Sequence, residues 1–167
     1  SIFSQNISEH DFEVICVNDC STDNTAEIIQ SFQTKHKNLI LLHHDVNKNL
    51  GASRNTGFRH ARGKYVWFVD SDDYLADNCL AVILSELETC TIEIIEINSH
   101  LTQPQTNPLF IEANYKSDSE VITGIEYLSQ LIKTPYWGRK VEVWRRIFSS
   151  EFLRKNNFIF SETLFGV

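Results

Sequence analysis

Nowhere in these 167 residues does an apolar run approach the roughly 20 positions that a membrane-crossing helix needs. Cysteine is sparse: Cys16, Cys20, Cys79 and Cys90 are scattered. Cys16 and Cys20 have no second pair at zinc-ligand spacing, so neither a metal site nor a disulfide framework is suggested. Reduced thiols in a cytosol are the expectation. Basic charge is also short, with 15 Lys and Arg against 22 Asp and Glu, a net charge of −7. That balance argues against nucleic acid or an anionic membrane surface as the main partner, while a phosphorylated ligand stays compatible with a locally basic pocket. Only three prolines occur, two of them within 100–119. That polar stretch reads as an excursion rather than a domain linker. There is no internal repeat and no low-complexity tract. What remains is an ordinary globular composition, 42% hydrophobic and 22% charged, in a chain long enough to bury one core.

Apolar and polar segments alternate along the chain. Phe12–Asp19 reads as a short buried strand. Ser21–His36 reads as a helix with Ser21 or Thr22 as its cap and Ala26, Ile29 and Phe32 at helical spacing. Asn38–His44 is a second apolar strand, and Asn49–Gly63 a modest helix on Ala52, Thr56 and Ala61, with Gly63 at the stop. Lys64–Asp70 is a third strand and Ala76–Glu88 a helix with a stripe of Leu80, Ile83, Leu84 and Leu87. Thr91–Ser99 reads as a strand, Ile122–Thr134 as an amphipathic helix, and the region around Ser150–Asn156 as a last helix. Strands alternating with helices imply an α/β fold with a mostly parallel sheet flanked by helices. In such sheets ligands bind at the carboxyl ends of the strands.

That rule bears on the stretch KYVWFVDSDDY, Lys64–Tyr74, in which an apolar strand runs into Asp70, Asp72 and Asp73. Asp19 ends the first strand and Asp70 the third, so both belong on the ligand-binding edge. Two carboxylates one residue apart, Asp70 and Asp72, can hold Mg²⁺ or Mn²⁺ in an all-oxygen shell, and such an ion neutralises charge on a departing phosphate. Aspartates after a strand are more often turn formers and caps, and for Asp73 and Asp77 that plainer reading is preferred. His43 and His44 are read as structural, because neighbouring strand side chains point to opposite faces. Trp137 and Trp144 are read as packing residues rather than sugar platforms.

Three spaced motifs decide between these readings. Val17, Asn18, Asp19, Ser21, Asp23 and Thr25 match V-[DN]-D-G-S-x-D-x-[ST], with Cys20 in place of the glycine. Asn49, Gly51, Arg54, Asn55 and Gly57 match N-x-G-x-[SA]-x-A-R-N-x-G, with Ser53 where alanine is usual. Ala61, Gly63, Tyr65, Asp70, Asp72 and Asp73 match A-x-G-x-Y followed by D-x-D-D. In this order, over about Phe12 to Leu80, they resemble the family 2 glycosyltransferases. Towards the C-terminus, VWRRIFSSEFLRKNNFIFSE resembles the family's W-N-K-[LI]-[YF] segment more weakly, with Arg145 and Arg146 at the usual Asn-Lys.

The resemblance implies a glycosyltransferase A (nucleotide-diphospho-sugar transferase) fold. It implies a metal-dependent inverting enzyme that moves a sugar from a nucleotide-diphosphate sugar, a UDP-sugar for preference, to an acceptor hydroxyl in bacterial surface polysaccharide synthesis. By the same resemblance Asp19 sits at a uracil-type base, Arg54 and Asn55 line the nucleotide and diphosphate pocket, Asp70 contacts the donor ribose or the metal, and Asp72 is the principal ligand of Mn²⁺ or Mg²⁺. The acceptor is a saccharide or lipid-linked saccharide. No nucleic acid is expected, and a homo-oligomer is left open. The location implied is cytoplasmic, with the inner face of the membrane also open. Residues 1–99 read as the nucleotide-sugar-binding half and 100–167 as a partial acceptor-side half of one domain. The family's first strand is missing from this chain, and its general base is expected just after Val167. A gap is therefore expected between the Phe12–Val17 and Tyr65–Val69 strands. The alternative is a non-catalytic nucleotide-binding remnant of the same fold. A nucleotidyltransferase would need a Gly-rich, basic phosphate loop after an early strand, and the sequence supplies none.

Overall fold

β1 (Val14–Asn18) and β2 (Leu39–His43) pair in parallel, with Val14 opposite Leu39 and Asn18 opposite His43. Both are built from β-branched and leucine side chains that suit a pleated surface. A computed structural model of the chain describes residues 1–89, 92–97 and 143–163. The parallel pair is joined by α1 (Thr25–Gln33), which packs on both strands, as a parallel connection requires. α1 begins later than the sequence suggests. Neither Ser21 nor Thr22 caps it; Asp23 accepts from the Thr25 backbone N–H at 3.1 Å and from its hydroxyl at 2.5 Å. The Ser21 N–H is instead taken up by Asn18 Oδ1 at 2.9 Å, which holds the chain in the turn that follows β1.

α2 (Asn49–His60) packs on β1. It stops before Gly63: Ala61 is already extended at φ −66°, ψ 131°. Gly63 therefore does not serve as a left-handed cap, and what ends the helix is the return of the chain to β3 (Tyr65–Trp67). Next come α3 (Cys79–Thr89), β4 (Ile94–Glu96), a 3-10 turn (Val143–Arg145), β5 (Arg146–Ser149) and α4 (Ser150–Lys155). The order in the second sheet is β3–β5–β4. Among the described residues β1 and β3 belong to separate sheets, β1 pairs with β2, and Val14–Val17 are half-buried rather than buried. Cys90, the expected helix at Ile122–Thr134 and Trp137 lie outside the described residues.

The chain divides into two compact units. One comprises Ser1–Gln5 and Trp67–Ile147. Its core holds Phe68, Leu75, Cys79, Ile83, Ile97 and Ile147, where burial pushes the Cys79 thiol up to about 11 and makes it an inert apolar group. Buried Gln5 ties this unit together: its Nε2 donates to the Ala76 carbonyl at 2.9 Å, and its Oε1 accepts from the Leu80 N–H in the first turn of α3 at 3.1 Å. The Trp67 indole donates to the Trp144 carbonyl at 2.7 Å, so these tryptophans are packed and bonded. The other unit comprises Asn6–Val66 and Phe148–Val167, with Leu39, Ala52, Phe148 and Leu153 in its core. Ser150 clips α4 to the approach to β3, its N–H donating to the Lys64 carbonyl at 2.9 Å and its hydroxyl to the Gly63 carbonyl at 2.6 Å.

Candidate functional site

The β1–β2 register sets the first cluster. Asn18 lies opposite His43, so the next residue on each strand, Asp19 and His44, leaves the sheet at the same edge. His44 Nδ1 lies 2.7 Å from Asp19 Oδ1, and its Nε2 lies 2.9 Å from the Thr56 hydroxyl on α2. Thr56 Oγ1 also accepts from the Arg59 guanidinium at 2.8 Å. The Lys48 N–H, entering α2, donates to the same Asp19 oxygen at 2.8 Å. Burial works against ionisation of Asp19. The bond from His44 and the N–H groups of Lys48 and Asn49 outweigh it and hold the carboxyl below its ordinary range. The His44 and Lys48 bonds both fall on Oδ1 at the carboxyl end of the sheet, and the Asn49 N–H bears on the same carboxyl.

Cys20, which replaces the expected glycine, keeps the glycine conformation. Its φ is 60°, in the left-handed region that costs an L-residue roughly 1–2 kcal/mol, and its thiol makes a long contact of 3.6 Å with the Asp45 carbonyl. The turn shape is thus retained and the strain is accepted. Cys20→Gly should raise stability by about 0.5–1 kcal/mol, the relief of that strain less the extra flexibility of unfolded glycine. Cys20→Val, β-branched at positive φ, should lower it. Urea denaturation of the two variants checks both signs.

The second cluster lies on α2. Asn49, itself left-handed at φ 73°, turns its Oδ1 to the N–H groups of Gly51 (3.0 Å) and Ala52 (3.4 Å), and its Nδ2 donates to the Glu162 carbonyl at 2.9 Å. Asn55, 5% exposed, uses both amide protons, one on the Phe160 carbonyl at 2.9 Å and one on Glu162 Oε1 at 2.8 Å, while its Oδ1 accepts from the Phe160 N–H at 2.8 Å. Arg54 stands over the Phe160 ring, 5.4 Å from its centroid. Arg54 and Asn55, expected at the nucleotide, thus also grip the segment that ends the described chain.

Asp70, Asp72 and Asp73 belong to the other unit. They form a turn closed by the Asp73 N–H on the Asp70 carbonyl at 3.1 Å. Burial first, then the charges of Asp70 and Asp72, push the Asp73 carboxyl above its usual range. Among the described residues no group of three His, Cys, Asp or Glu side chains forms a ready metal cage. Crowded like charges with oxygen-only donors fit a hard divalent cation that takes the rest of its shell from water and phosphate.

Sequence reasoning marked Asp19, Arg54, Asn55, Asp70 and Asp72. It read His44 as structural and took Thr56 only as a helix position, and it did not mark Glu162. The signal for His44 was the common offset of 25 residues between paired strand positions, visible only once the register is known.

A family model described as "Glycosyl transferase family 2" matches residues 1–136. A poly(ribitol-phosphate) beta-glucosyltransferase of Bacillus spizizenii is 38% identical over 81 residues, 48% of this chain and 13% of that protein. The uncharacterized glycosyltransferase EpsJ of Bacillus subtilis is 30% identical over 168 residues, 98% of this chain and 46% of that protein. Among solved structures, Staphylococcus aureus TarS 1-349 in complex with UDP superposes with a TM-score of 0.78 at 24% identity, over 99% of this chain and 46% of that one. The same TarS fragment with UDP-GlcNAc gives 0.69 at 22% identity, over 96% and 42%. This chain therefore spans less than half the length of these relatives.

Proposed function

Because the chain belongs to glycosyl transferase family 2, with a glycosyltransferase A fold, we propose that it carries the donor-binding part of an inverting transferase. The donor is a uridine-diphosphate sugar and the acceptor a saccharide or polyol-phosphate hydroxyl of a bacterial surface polymer. The observation that carries this reading is the Asp19 carboxylate, ionised and pinned through Oδ1 by His44 and the Lys48 N–H at the carboxyl end of β1. An ionised carboxylate only accepts hydrogen bonds. It therefore suits the imide N–H of uracil and repels the bare ring nitrogen that cytosine offers at the same place.

The other roles follow the family motifs residue by residue. Arg54 brings positive charge to the diphosphate. Asn55, its amide protons already taken, works by fixing Phe160–Glu162 on α2. Asp70 serves the ribose or the metal, and Asp72 is the main oxygen ligand for Mn²⁺ or Mg²⁺. Bound there, the ion supplies positive charge for the diphosphate oxygens. In the transfer itself the acceptor oxygen bonds to the anomeric carbon as the bond to the donor phosphate breaks. The acceptor proton passes to a carboxylate base, a role assigned to no residue described here. Teichoic-acid-type polymers enter as acceptors through the poly(ribitol-phosphate) transferases among the relatives.

Calorimetry on the full-length protein tests the reading. UDP should bind, and CDP should bind about 10–100-fold more weakly, the cost of one charge-assisted hydrogen bond. Asp19→Asn should erase most of that difference. Equal affinity for UDP and CDP in the unaltered protein would exclude Asp19 as the base reader.

A further inference from the structure

The residue behind Asp19 decides how well that carboxylate can discriminate. His44 is 8% exposed, and its two ring nitrogens face Asp19 Oδ1 and Thr56 Oγ1. Ionised Asp19 Oδ1 only accepts, so a neutral His44 presents Nδ1–H to it and takes the Thr56 hydroxyl proton on Nε2, while a lone pair of Thr56 Oγ1 serves Arg59. The chain Arg59 to Thr56 to His44 to Asp19 is therefore oriented throughout, each member donating to the next. The result at its end is specific. Oδ1 is held by His44 and the Lys48 N–H, and the carboxylate cannot rotate freely.

On the reading that Asp19 meets the nucleobase, we infer that His44 is a positioning residue for base selectivity, with Thr56 fixing its tautomer. His44 touches no substrate; it sets the orientation and the ionised state of the group that does. A purely structural histidine would alter stability and weaken every nucleotide alike. A positioning histidine alters the ratio of CDP to UDP dissociation constants, because only the pinned, charged oxygen tells an imide N–H from a bare nitrogen. The Nδ1-protonated tautomer and its bond to Asp19 also resemble the arrangement by which buried carboxylates fix histidines elsewhere, here with the roles exchanged.

The test uses the full-length protein with UDP and CDP as probes and three variants. His44→Leu removes both bonds at similar volume and should reduce the CDP-to-UDP ratio by about tenfold, the worth of one charge-assisted bond. His44→Asn places an amide N–H near the position of Nδ1 and should restore most of the ratio. Thr56→Val leaves His44 in place but frees its tautomer, and should reduce the ratio by less. Long-range ¹H–¹⁵N spectra of the unaltered protein should show His44 protonated on Nδ1 and not on Nε2. A His44→Leu protein that folds and keeps the full ratio overturns the inference, as does an Nε2-protonated ring. If His44→Leu does not fold, the Thr56→Val ratio and the tautomer decide. Absence of any uridine preference in the unaltered protein is a different failure, since it removes the role of Asp19 itself.

Discussion

On the proposed function, Asp72→Asn in the full-length protein should leave the fold intact and reduce sugar transfer by about 10²–10³-fold, the scale on which loss of one preorganised electrostatic group is felt in catalysis. The change exchanges one oxygen for an amide nitrogen, so volume is conserved and packing is not at issue. Asp72 is exposed at the tip of a turn, which removes any structural reason for a loss. What changes is charge. Burial first, and then the charges of Asp70 and Asp72, raise the proton affinity of Asp73, and such repulsion is tolerated where a cation relieves it. The measurement is initial rate of transfer at saturating Mn²⁺, with circular dichroism and metal-free UDP affinity as controls. Near-normal turnover would show that Asp72 is not the ligand. A parallel loss of metal-free UDP affinity would show instead that it serves the nucleotide directly.

Legibility of the sequence divided along a physical line. Elements that declare themselves within a few residues were readable: the short apolar runs of β1 and β2, the apolar stripe of α3, and α4 after Ser149. Asp19 was readable as a strand-end carboxylate, since it directly follows β1; Asp70 instead lies three residues beyond the end of β3 at Trp67, so the third strand is shorter than its apolar run suggests. Element edges were less so. α1 starts at Thr25 because the Asn18 side chain has already claimed the Ser21 N–H, and α2 stops at His60 rather than at Gly63. Neither competition has a local signature. Cys20 was legible as a departure from the motif, but not its outcome. Only the backbone angle shows that the turn overrode the residue.

The site partners that were missed are all long-range. His44 meets Asp19 across 25 residues through strand register, and Asn55 meets Phe160 and Glu162 across more than 100. A motif tells which residue types matter without telling what they touch. For Asn55 the difference is consequential, because resemblance put the residue at a nucleotide while its amide protons are spent on the chain itself. The two statements are compatible if the helix that faces the donor is also the helix that holds the segment beyond α4. Catalytic precision then depends on a packed, hydrogen-bonded support as much as on the groups that touch substrate.

Gly51→Ala should destabilise the protein by about 1–3 kcal/mol, against the ordinary preference of a helix for alanine. Glycine in a helix interior costs about 1 kcal/mol relative to alanine, so a substitution judged on propensity alone would be stabilising. Space reverses the sign. A Cβ at Gly51 would lie 1.9 Å from the Ser161 carbonyl oxygen, a backbone atom that cannot move without carrying its neighbours. Those neighbours hold the Asn49–Glu162 bond and the three bonds of Asn55 to Phe160 and Glu162. Overpacking of this kind costs typically 1–3 kcal/mol, and each bond lost adds about 0.5–1.5 kcal/mol, so the loss exceeds the gain in propensity. Gly57, on the same helix, is the control. Its nearest neighbour to an added Cβ is Val17 Cγ2 at 3.6 Å, an ordinary contact, and Gly57→Ala should be neutral or stabilising by up to about 1 kcal/mol. Denaturant titration of the two variants gives opposite signs if α2 clasps the 158–163 segment. Limited proteolysis should find new cleavage near Ser161 in Gly51→Ala alone. Two stabilised variants with unchanged cleavage would mean that the segment does not rest on α2, and that Asn55 is free to serve the nucleotide after all.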